Sequence, residues 1–436
     1  MNNVISNVLF PVHEYLKKHS TMEQFRELER VQWLAPDQVR AVQQERLARF
    51  LESVQANVPY FREIPTDPLQ LSAIPFSTKA VMRANTEGFK AVGARHLTRS
   101  NTGGSSGEPL IFYLGKRRIS ADVAAKLRAT RWWGVDIGDP EVVVWGAPVE
   151  LSKQDRVRDL RDRLFRTKLL SAFDMSEATM DGYLEFIRQY KPAHVFGYPS
   201  SISLLCRHAA ARGVRLDDLG VKVVFCTAER LYDHQRETIS AAFQAPVANG
   251  YGARDAGFIA HQCPEGRLHV ADENIVLELL DPQGNPVPLG EPGEMVVTHL
   301  ESHDFPILRY RTGDIGVRSG ETCSCGRGLS VLQSVEGRST DFIITPEKKV
   351  LHGLALIYKV RDTLGVQAFK IVQEDYDLVR LFLATDDSFT KEGEREIRED
   401  WSKRLGDNVK VEVVFQEKLE PEKSGKFRYV QSKVAQ

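Results

Sequence analysis

The sequence predicts an α/β protein with a large N-terminal layered α/β domain that includes a small β subdomain, and a small mobile α+β domain at the C-terminus. Three observations carry this reading. At 436 residues the chain is longer than one hydrophobic core usually serves. From about 65 to 300, short β-rich runs alternate with amphipathic helical stretches, the pattern of a layered α/β architecture. After about 338, a last unit of about 100 residues alternates strand, helix and strand.

Residues 1 to about 60 read as a helical cap on the main domain. Asp37 is placed as the N-cap of its best helix, with Val39, Val42, Leu47, Leu51 and Val54 on the apolar face. Pro59 stops the run. Strands are expected at 141–145, 193–196 and 221–225, each followed by glycine, proline or a small polar residue and then a helix. Between them, Lys153 to Lys168 reads as a helix in which Arg156, Arg158, Arg161, Arg163 and Arg166 interleave with Asp155, Asp159 and Asp162. That face is either solvated and salt-bridged or a docking edge for an anionic partner.

Residues 271–335 change to short strands and turns, including Asp281-Pro282-Gln283-Gly284-Asn285, and are assigned to the β subdomain. The N-terminal domain is taken as 1–337 and the C-terminal domain as 338–436. Strands in the latter are expected at 368–372, 379–383 and 411–415, with a helix from Lys391 to Leu405.

Composition narrows the function. With 42% hydrophobic and 27% charged residues and a formal net charge of -1, nothing points to nucleic acid or a membrane surface as main partner. Met1 to Asn7 has neither the basic nor the long apolar region of a secretory signal, and no window reaches the length of a bilayer span. Five unevenly spaced cysteines argue for a reducing compartment. The expectation is a cytoplasmic protein.

The chemistry centres on Ser100-Asn101-Thr102-Gly103-Gly104-Ser105-Ser106-Gly107-Glu108-Pro109, where glycines free the backbone N–H groups to turn inward and hydroxyls add donors, as a polyphosphate requires. The β-rich run Leu110 to Tyr113 follows. The loop is neither a Walker loop nor a dinucleotide fingerprint. A second stretch, Leu308-Arg309-Tyr310-Arg311-Thr312-Gly313-Asp314, sets a carboxylate after a glycine turn, able to accept hydrogen bonds from both hydroxyls of a ribose. In a third, Ala248 to Asp255, Tyr251 could lie on a purine, Arg254 meet phosphate and Asp255 hold Mg²⁺. A fourth, Glu422-Lys423-Ser424-Gly425-Lys426, presents a lysine on a turn.

In this order, with Gly337-Arg338 before the last unit, the motifs resemble the adenylate-forming superfamily. The resemblance is to its phenylacetate-CoA ligase-like branch, and within that to the subgroup of capsule and exopolysaccharide loci and of coenzyme F390 synthetase-like proteins. It spans about 58 to 426, with Tyr310 to Asp314 its most specific piece.

The resemblance implies that Thr102, Gly103, Ser105, Ser106 and Gly107 cradle the β- and γ-phosphates of ATP. Ala228 and Glu229 line the nucleotide pocket, Asn249, Gly250, Tyr251 and Gly252 run along the adenine, Asp314 holds the ribose, and Arg338 meets ribose or phosphate. Lys426 is the catalytic lysine, assisted by Arg254 and Asp255, and the C-terminal domain swings on a hinge near 338–341. Phe196, Tyr198, Pro199 and Thr227 border the acyl pocket. Asp255 is one methylene shorter than the superfamily's usual Mg²⁺ ligand, so it must reach the ion by a backbone shift or through water. Glu108 and Thr340 also depart from the pattern, where many relatives carry lysine and an acidic residue.

Cys263, His269, Cys323 and Cys325 supply three thiolates and an imidazole, ligand types suited to a structural tetrahedral Zn²⁺. The F390 synthetase-like resemblance has a similar Cys/His pattern. His261 could replace His269 by sequence alone, whereas Cys206 and Cys226 lie on apolar stretches and read as core.

The function expected is ATP-dependent activation of a small carboxylic acid as acyl-AMP with release of pyrophosphate, then acyl transfer, with CoA as the first acceptor. The alternatives are transfer to an amine or polysaccharide precursor, and a nucleotide-binding protein that has lost catalysis.

Overall fold

A computed structural model describes residues 4–64, 68–101, 110–145, 161–172, 175–338, 342–347, 350–352, 354–361, 363–419 and 430–434. The chain divides into two compact units, 1–336 and 337–436.

The first unit opens with a π-helical turn, Ile5–Leu9, that runs into α1 (Phe10–Leu16), then α2 (Thr21–Val31) and α3 (Pro36–Asn57). The N-cap of α3 is Ala35 and not Asp37. Pro36 takes the first helical position, where a missing N–H costs nothing, and the Gln38 side chain accepts from the Ala35 N–H at 3.1 Å. Val39, Leu47, Phe50, Leu51 and Val54 are its buried face. The short helix α4 (Lys79–Ala84) follows, then β1 (Thr98–Asn101), β2 (Ile111–Leu114) and α5 (Lys116–Arg131). β1 and β2 pair antiparallel with Asn101 opposite Ile111; residues 102–109, between them in the chain, lie outside the described residues.

A doubly wound layer comes next: β3 (Glu141–Trp145), β4 (Thr167–Ser171), α6 (Glu177–Tyr190), β5 (His194–Gly197), α7 (Pro199–Ala211), β6 (Val223–Thr227), α8 (Asp233–Phe243) and β7 (Val247–Ala253). The strands pair in parallel, and the apolar runs of β3, β5 and β6 are largely buried on both faces. One face packs Val144, Val195 and Val224 with Leu184, Ile202, Leu205 and Ile239 of the helices. On the far side α5 lays Ala124 and Ala125 against Phe25 and Leu28 of α2. The helix expected from Lys153 to Lys168 lies outside the described residues up to 160. Helix is present at 161–164, but Arg166 takes a left-handed φ of 58° and Thr167–Ser171 is the edge strand β4.

From β7 the sheet turns antiparallel through β8 (Gly257–Gln262), β9 (Leu268–Val270), β10 (Ile275–Leu280), β11 (Pro292–His299), β12 (Tyr310–Arg318) and β13 (Val331–Arg338). These strands form no separate β subdomain sheet. Hydrogen-bonded order runs β10-β11-β12-β13-β9-β8-β7-β6-β5-β3-β4, one ladder of eleven strands. The turn expected at 281–285 is present: Gly284 N–H donates to Asp281 O at 3.0 Å and Asn285 N–H to Asp281 Oδ1 at 2.8 Å.

The second unit has a small hairpin, β14 (Phe342–Ile344) with β15 (Val350–His352), then α9 (Leu354–Arg361), β16 (Val366–Asp375), β17 (Leu378–Thr385), α10 (Lys391–Leu405), β18 (Lys410–Phe415) and β19 (Val430–Ser432). Its four-stranded sheet has the order β18-β17-β16-β19. Ile397, Trp401 and Leu405 bury one side of α10, and the Trp401 indole donates to Leu356 O at 3.1 Å.

Candidate functional site

The C-terminal ends of β5, β6 and β7 lie side by side, Gly197 opposite Cys226 and Thr227 opposite Gly250, where open α/β sheets gather their ligands. Three of the motifs meet beside this edge. The Tyr251 hydroxyl donates to Asp314 Oδ2 at 2.7 Å, joining β7 to β12. Arg254 Nη1 donates to Asn101 O at 3.0 Å, joining the same turn to the last residue before the glycine-rich loop.

Local geometry explains the placement of Asp314. Between β11 and β12 the register jumps from Val296↔Arg311 to Glu294↔Ile315, so Thr312-Gly313-Asp314 bulges out of the ladder. Gly313 supplies the φ of 74° that this needs. Thr312 Oγ1 pins the bulge by donating to Met295 O at 2.7 Å and accepting from Asp314 N–H at 3.0 Å.

The β7–β8 hairpin is equally constrained. A Cβ on Gly252 would stand 2.6 Å from Gly257 O, so only glycine lets the strands close here. Asn249 N–H donates to Gln262 Oε1 at 3.0 Å. After β6, Ala228 holds a left-handed φ of 67°, a strained setting for a residue with a Cβ, and the next carboxylate, Glu229, accepts from Ser200 N–H at 3.3 Å at the start of α7.

Asp255 is buried. Its Oδ2 accepts the Tyr310 hydroxyl at 2.5 Å and its Oδ1 the Ala256 N–H at 3.1 Å. A cation bound by Asp255 would therefore share an oxygen with one of these donors.

Behind that turn sits a buried cluster that the sequence did not announce. Arg118 on α5 donates to Asp255 O at 3.1 Å and to Asp122 Oδ2 at 2.9 Å, while His299 Nε2 lies 3.4 Å from Asp122 Oδ1. Burial alone would raise the Asp122 pKa, but Arg118 and His299 outweigh it and hold the carboxyl at about 2. Because this lies below the ordinary 3.8, the ionised group stabilises the fold above pH ~4, and that stability is lost as pH falls towards 2. Urea unfolding across pH 2–5 is expected to show wild type losing about 2 kcal/mol more than Asp122→Asn over that window. Equal slopes for the two proteins would remove Asp122 from the acid response.

The aromatic residues expected at the acyl pocket separate. Tyr198 is 1% exposed and stacks on Trp145 with ring centroids 4.3 Å apart, inside the core beneath α7. Phe196 packs with the other cluster, near Val135, Phe225 and Ala248, and carries Lys126 Nζ over its ring at 4.4 Å. Trp145 touches both rings, its centroid 6.0 Å from that of the half-buried Phe196. Pro199 and Thr227 are buried at the strand ends. Thr102, Gly103, Ser105, Ser106, Gly107, Glu108, Thr340 and Lys426 lie outside the described residues; Arg338 ends β13.

The four predicted metal ligands do come together: the ligand atoms of Cys263, His269, Cys323 and Cys325 all lie within 4.8 Å of one another. Cys263 Sγ is 3.7 Å from Cys323 Sγ, and Cys325 Sγ is 3.3 Å from His269 Nε2. A tetrahedron with Zn–S of about 2.3 Å and Zn–N of about 2.0 Å has edges of about 3.8 and 3.5 Å, so the residues fit the ion. His269 Nδ1 faces Leu329 O at 3.3 Å; an N–H donated there leaves Nε2 as the ligand atom. Burial pushes the His269 pKa down to about 4, favouring the neutral, metal-binding imidazole. His261 is outside the group and stacks on Phe258. Cys206 and Cys226 are buried, and burial raises both thiol pKa values, Cys206 to about 12.

Residues 166–300 match the AMP-binding enzyme family, and residues 343–433 match the CapK C-terminal domain. Protein CapK of Staphylococcus aureus is 22% identical over 428 residues, covering 95% of this chain and 93% of that protein. Phenylacetate-coenzyme A ligase of Thermus thermophilus is 24% identical over 340 residues, covering 71% of this chain and 73% of the ligase. The fold matches that of 2-hydroxyisobutyryl-CoA ligase, solved in the postadenylation state with an acyl-AMP, at a TM-score of 0.75 and 20% identity, over 92% and 91% of the two chains. With its motifs converging at the sheet edge, the chain is an AMP-forming acid ligase. The two family matches and these relatives support its assignment to the adenylate-forming superfamily, as a phenylacetate-CoA ligase-like and CapK-like chain.

Proposed function

We propose that this chain condenses a carboxylic acid with ATP to give acyl-AMP and pyrophosphate, then hands the acyl group to CoA. The observation that supports the reading is the hydrogen bond of Tyr251 to Asp314, which brings an aromatic ring and a carboxylate together beside a turn whose Arg254 bonds Asn101, next to the glycine-rich segment. Asp314 accepts the ribose hydroxyls and Tyr251 lies along the adenine. Thr102, Gly103, Ser105, Ser106 and Gly107 take the β- and γ-phosphates, while Ala228, Glu229, Asn249, Gly250 and Gly252 line the pocket. Pro199 and Thr227 border the acid.

Attack of a carboxylate on an α-phosphate joins two anions, so the work is charge neutralisation and alignment, with no general base. Lys426, Arg254 and Arg338 supply positive charge in this reading, and Asp255 holds Mg²⁺ through water. Zn²⁺ on Cys263, His269, Cys323 and Cys325 is structural, because four protein ligands leave no open position.

A second reading, transfer to an amine or a polysaccharide precursor, is favoured by the extent of the relatives. CapK aligns over 95% of this chain, the phenylacetate-CoA ligase over 71%. The deciding experiment measures pyrophosphate and AMP release from ATP over a panel of aryl, short alkyl and amino acids, with and without CoA. Acid-dependent pyrophosphate release, lost in Lys426→Ala while ATP binding persists, is expected; AMP turnover that also requires CoA selects the thioester. AMP turnover restored by an amine without CoA would select the second reading. Binding of ATP without release from any acid would favour a nucleotide-binding protein without catalysis.

A further inference from the structure

The helical segment 5–16 presents an apolar stripe to solvent. Val4, Val8, Val12 and Leu16 recur every fourth residue, flanked by Leu9 and Tyr15, and all six are exposed, Tyr15 at 81% and Leu16 at 73%. The opposite side is fixed to the protein. Ile5 is buried, Phe10 meets Phe165 edge-on at 5.6 Å, and the buried Glu14 bonds His13 at 2.9 Å and His19 at 3.1 Å. The stripe is thus held outward by a rigid seat, and soluble proteins seldom leave so continuous an apolar face uncovered.

Charge decides what covers it. The stripe ends in the exposed pair Lys17 and Lys18, and Lys116 Nζ donates to Lys17 O at 2.9 Å. There it meets a groove of about 460 Å³ that holds Lys18, Arg95 and Lys116, with Arg117 already paired to Glu301, against the acids Glu23 and Asp304. The sole acidic residue of 4–18, Glu14, faces inward. A second copy would bring apolar side chains to the stripe but no carboxylate from this segment to the lysines. An anionic bilayer brings both an acyl boundary and phosphates. The formal net charge of -1 averages this local excess away.

We infer that this face docks the protein peripherally on an anionic membrane surface, with the stripe at the boundary of headgroups and acyl chains and the basic groove on lipid phosphates. No described helix is long and apolar enough to cross a membrane, and the docking needs none.

The test is sedimentation of the full chain with vesicles of phosphatidylcholine alone or with about one third phosphatidylglycerol. Partition is expected to be about tenfold stronger on the anionic vesicles, and to fall about tenfold in Val12→Glu/Leu16→Glu and in Lys17→Glu/Lys18→Glu. A Leu16→Trp variant, which keeps the stripe apolar, should shift its emission to the blue and be quenched by brominated acyl chains. Equal sedimentation with and without anionic lipid overturns the inference. So does a wild-type dimer that Val12→Glu/Leu16→Glu dissolves while no vesicle binding is seen, since a second copy would then be the occupant. Should the charged variants lose their native circular dichroism, the Leu16→Trp quenching alone decides.

Discussion

Replacing Asp314 with alanine is expected to lower kcat/KM for ATP in acid-dependent pyrophosphate release by about 10²- to 10³-fold. Two hydrogen bonds from ribose hydroxyls to a carboxylate are worth about 3–4 kcal/mol together, and each 1.4 kcal/mol is about tenfold. The loss should fall mainly on KM, because the ribose is held alike in ground and transition states. Tyr251→Phe removes only the hydroxyl that donates to Asp314 at 2.7 Å and keeps the ring, so it serves as the mild comparison. An Asp314→Ala enzyme with unchanged KM for ATP would show that the carboxylate orders the bulge and does not touch the nucleotide.

Loss of the proposed Zn²⁺ is the second large effect expected. The loop that carries Cys323 and Cys325 also holds the turn between α2 and α3. Gly328 N–H donates to Gln32 O at 2.9 Å, and Gln32 Oε1 accepts the Trp132 indole at 2.7 Å and Arg327 Nε at 3.3 Å. Freed of its ion, this loop keeps the helical cap on the sheet only through those hydrogen bonds, the stacking of Arg327 on Trp33 and Trp132, and the packing of Cys323 and Leu329 with Val31 and Val39. An ion present at a thousand times its Kd stabilises the native state by about 4 kcal/mol. Purified protein is expected to carry about one zinc per chain, and chelation or Cys323→Ser to lower the melting temperature of the first unit by several degrees. Chelated protein that melts where the untreated protein does would leave the thiols as ordinary core.

Where local pattern decided structure, it could be read directly. The helix Lys391–Leu405 was legible to its ends because Thr390 caps it and Gly406 closes it, and the strand at 141–145 because the apolar run Val142-Val143-Val144-Trp145 lies between Pro140 and Gly146. β4 was hidden because the alternating arginines and aspartates continue a helical charge pattern up to the residue where Arg166 turns left-handed. Ala35 as an N-cap was hidden because its cap comes from the Gln38 side chain and not from its own.

In the site, the motif residues Tyr251, Arg254 and Asp314 were legible, but their partners were not. Arg118, Asp122 and His299 carry no local signal, since only the fold brings α5 and β11 to the turn at Asp255. Tyr310 stood inside a recognised motif, and its alternation with Thr312 and Asp314 along β12 was the available sign that it faces inward. Of the two aromatics beside the end of β5, Tyr198 is buried in the core while Phe196 stays half-buried, a difference that their shared alternation along the chain does not reveal.

The stem of the glycine-rich loop is a ladder of four residue pairs that stands apart from the eleven-stranded sheet. Its two strands are unequally rooted. Leu110 and Phe112 are buried in the core, whereas β1 is largely exposed and Asn101 takes the hydrogen bond from Arg254. A two-stranded ladder is marginal by itself, so if this loop takes the phosphates as proposed, nucleotide binding is expected to be coupled to the pairing of its stem. If the stem is paired for a fraction of the time, the apparent Kd is the intrinsic Kd divided by that fraction. Substitutions at 98–101 can thereby retune affinity for ATP, in either direction, while every atom that touches the nucleotide stays the same.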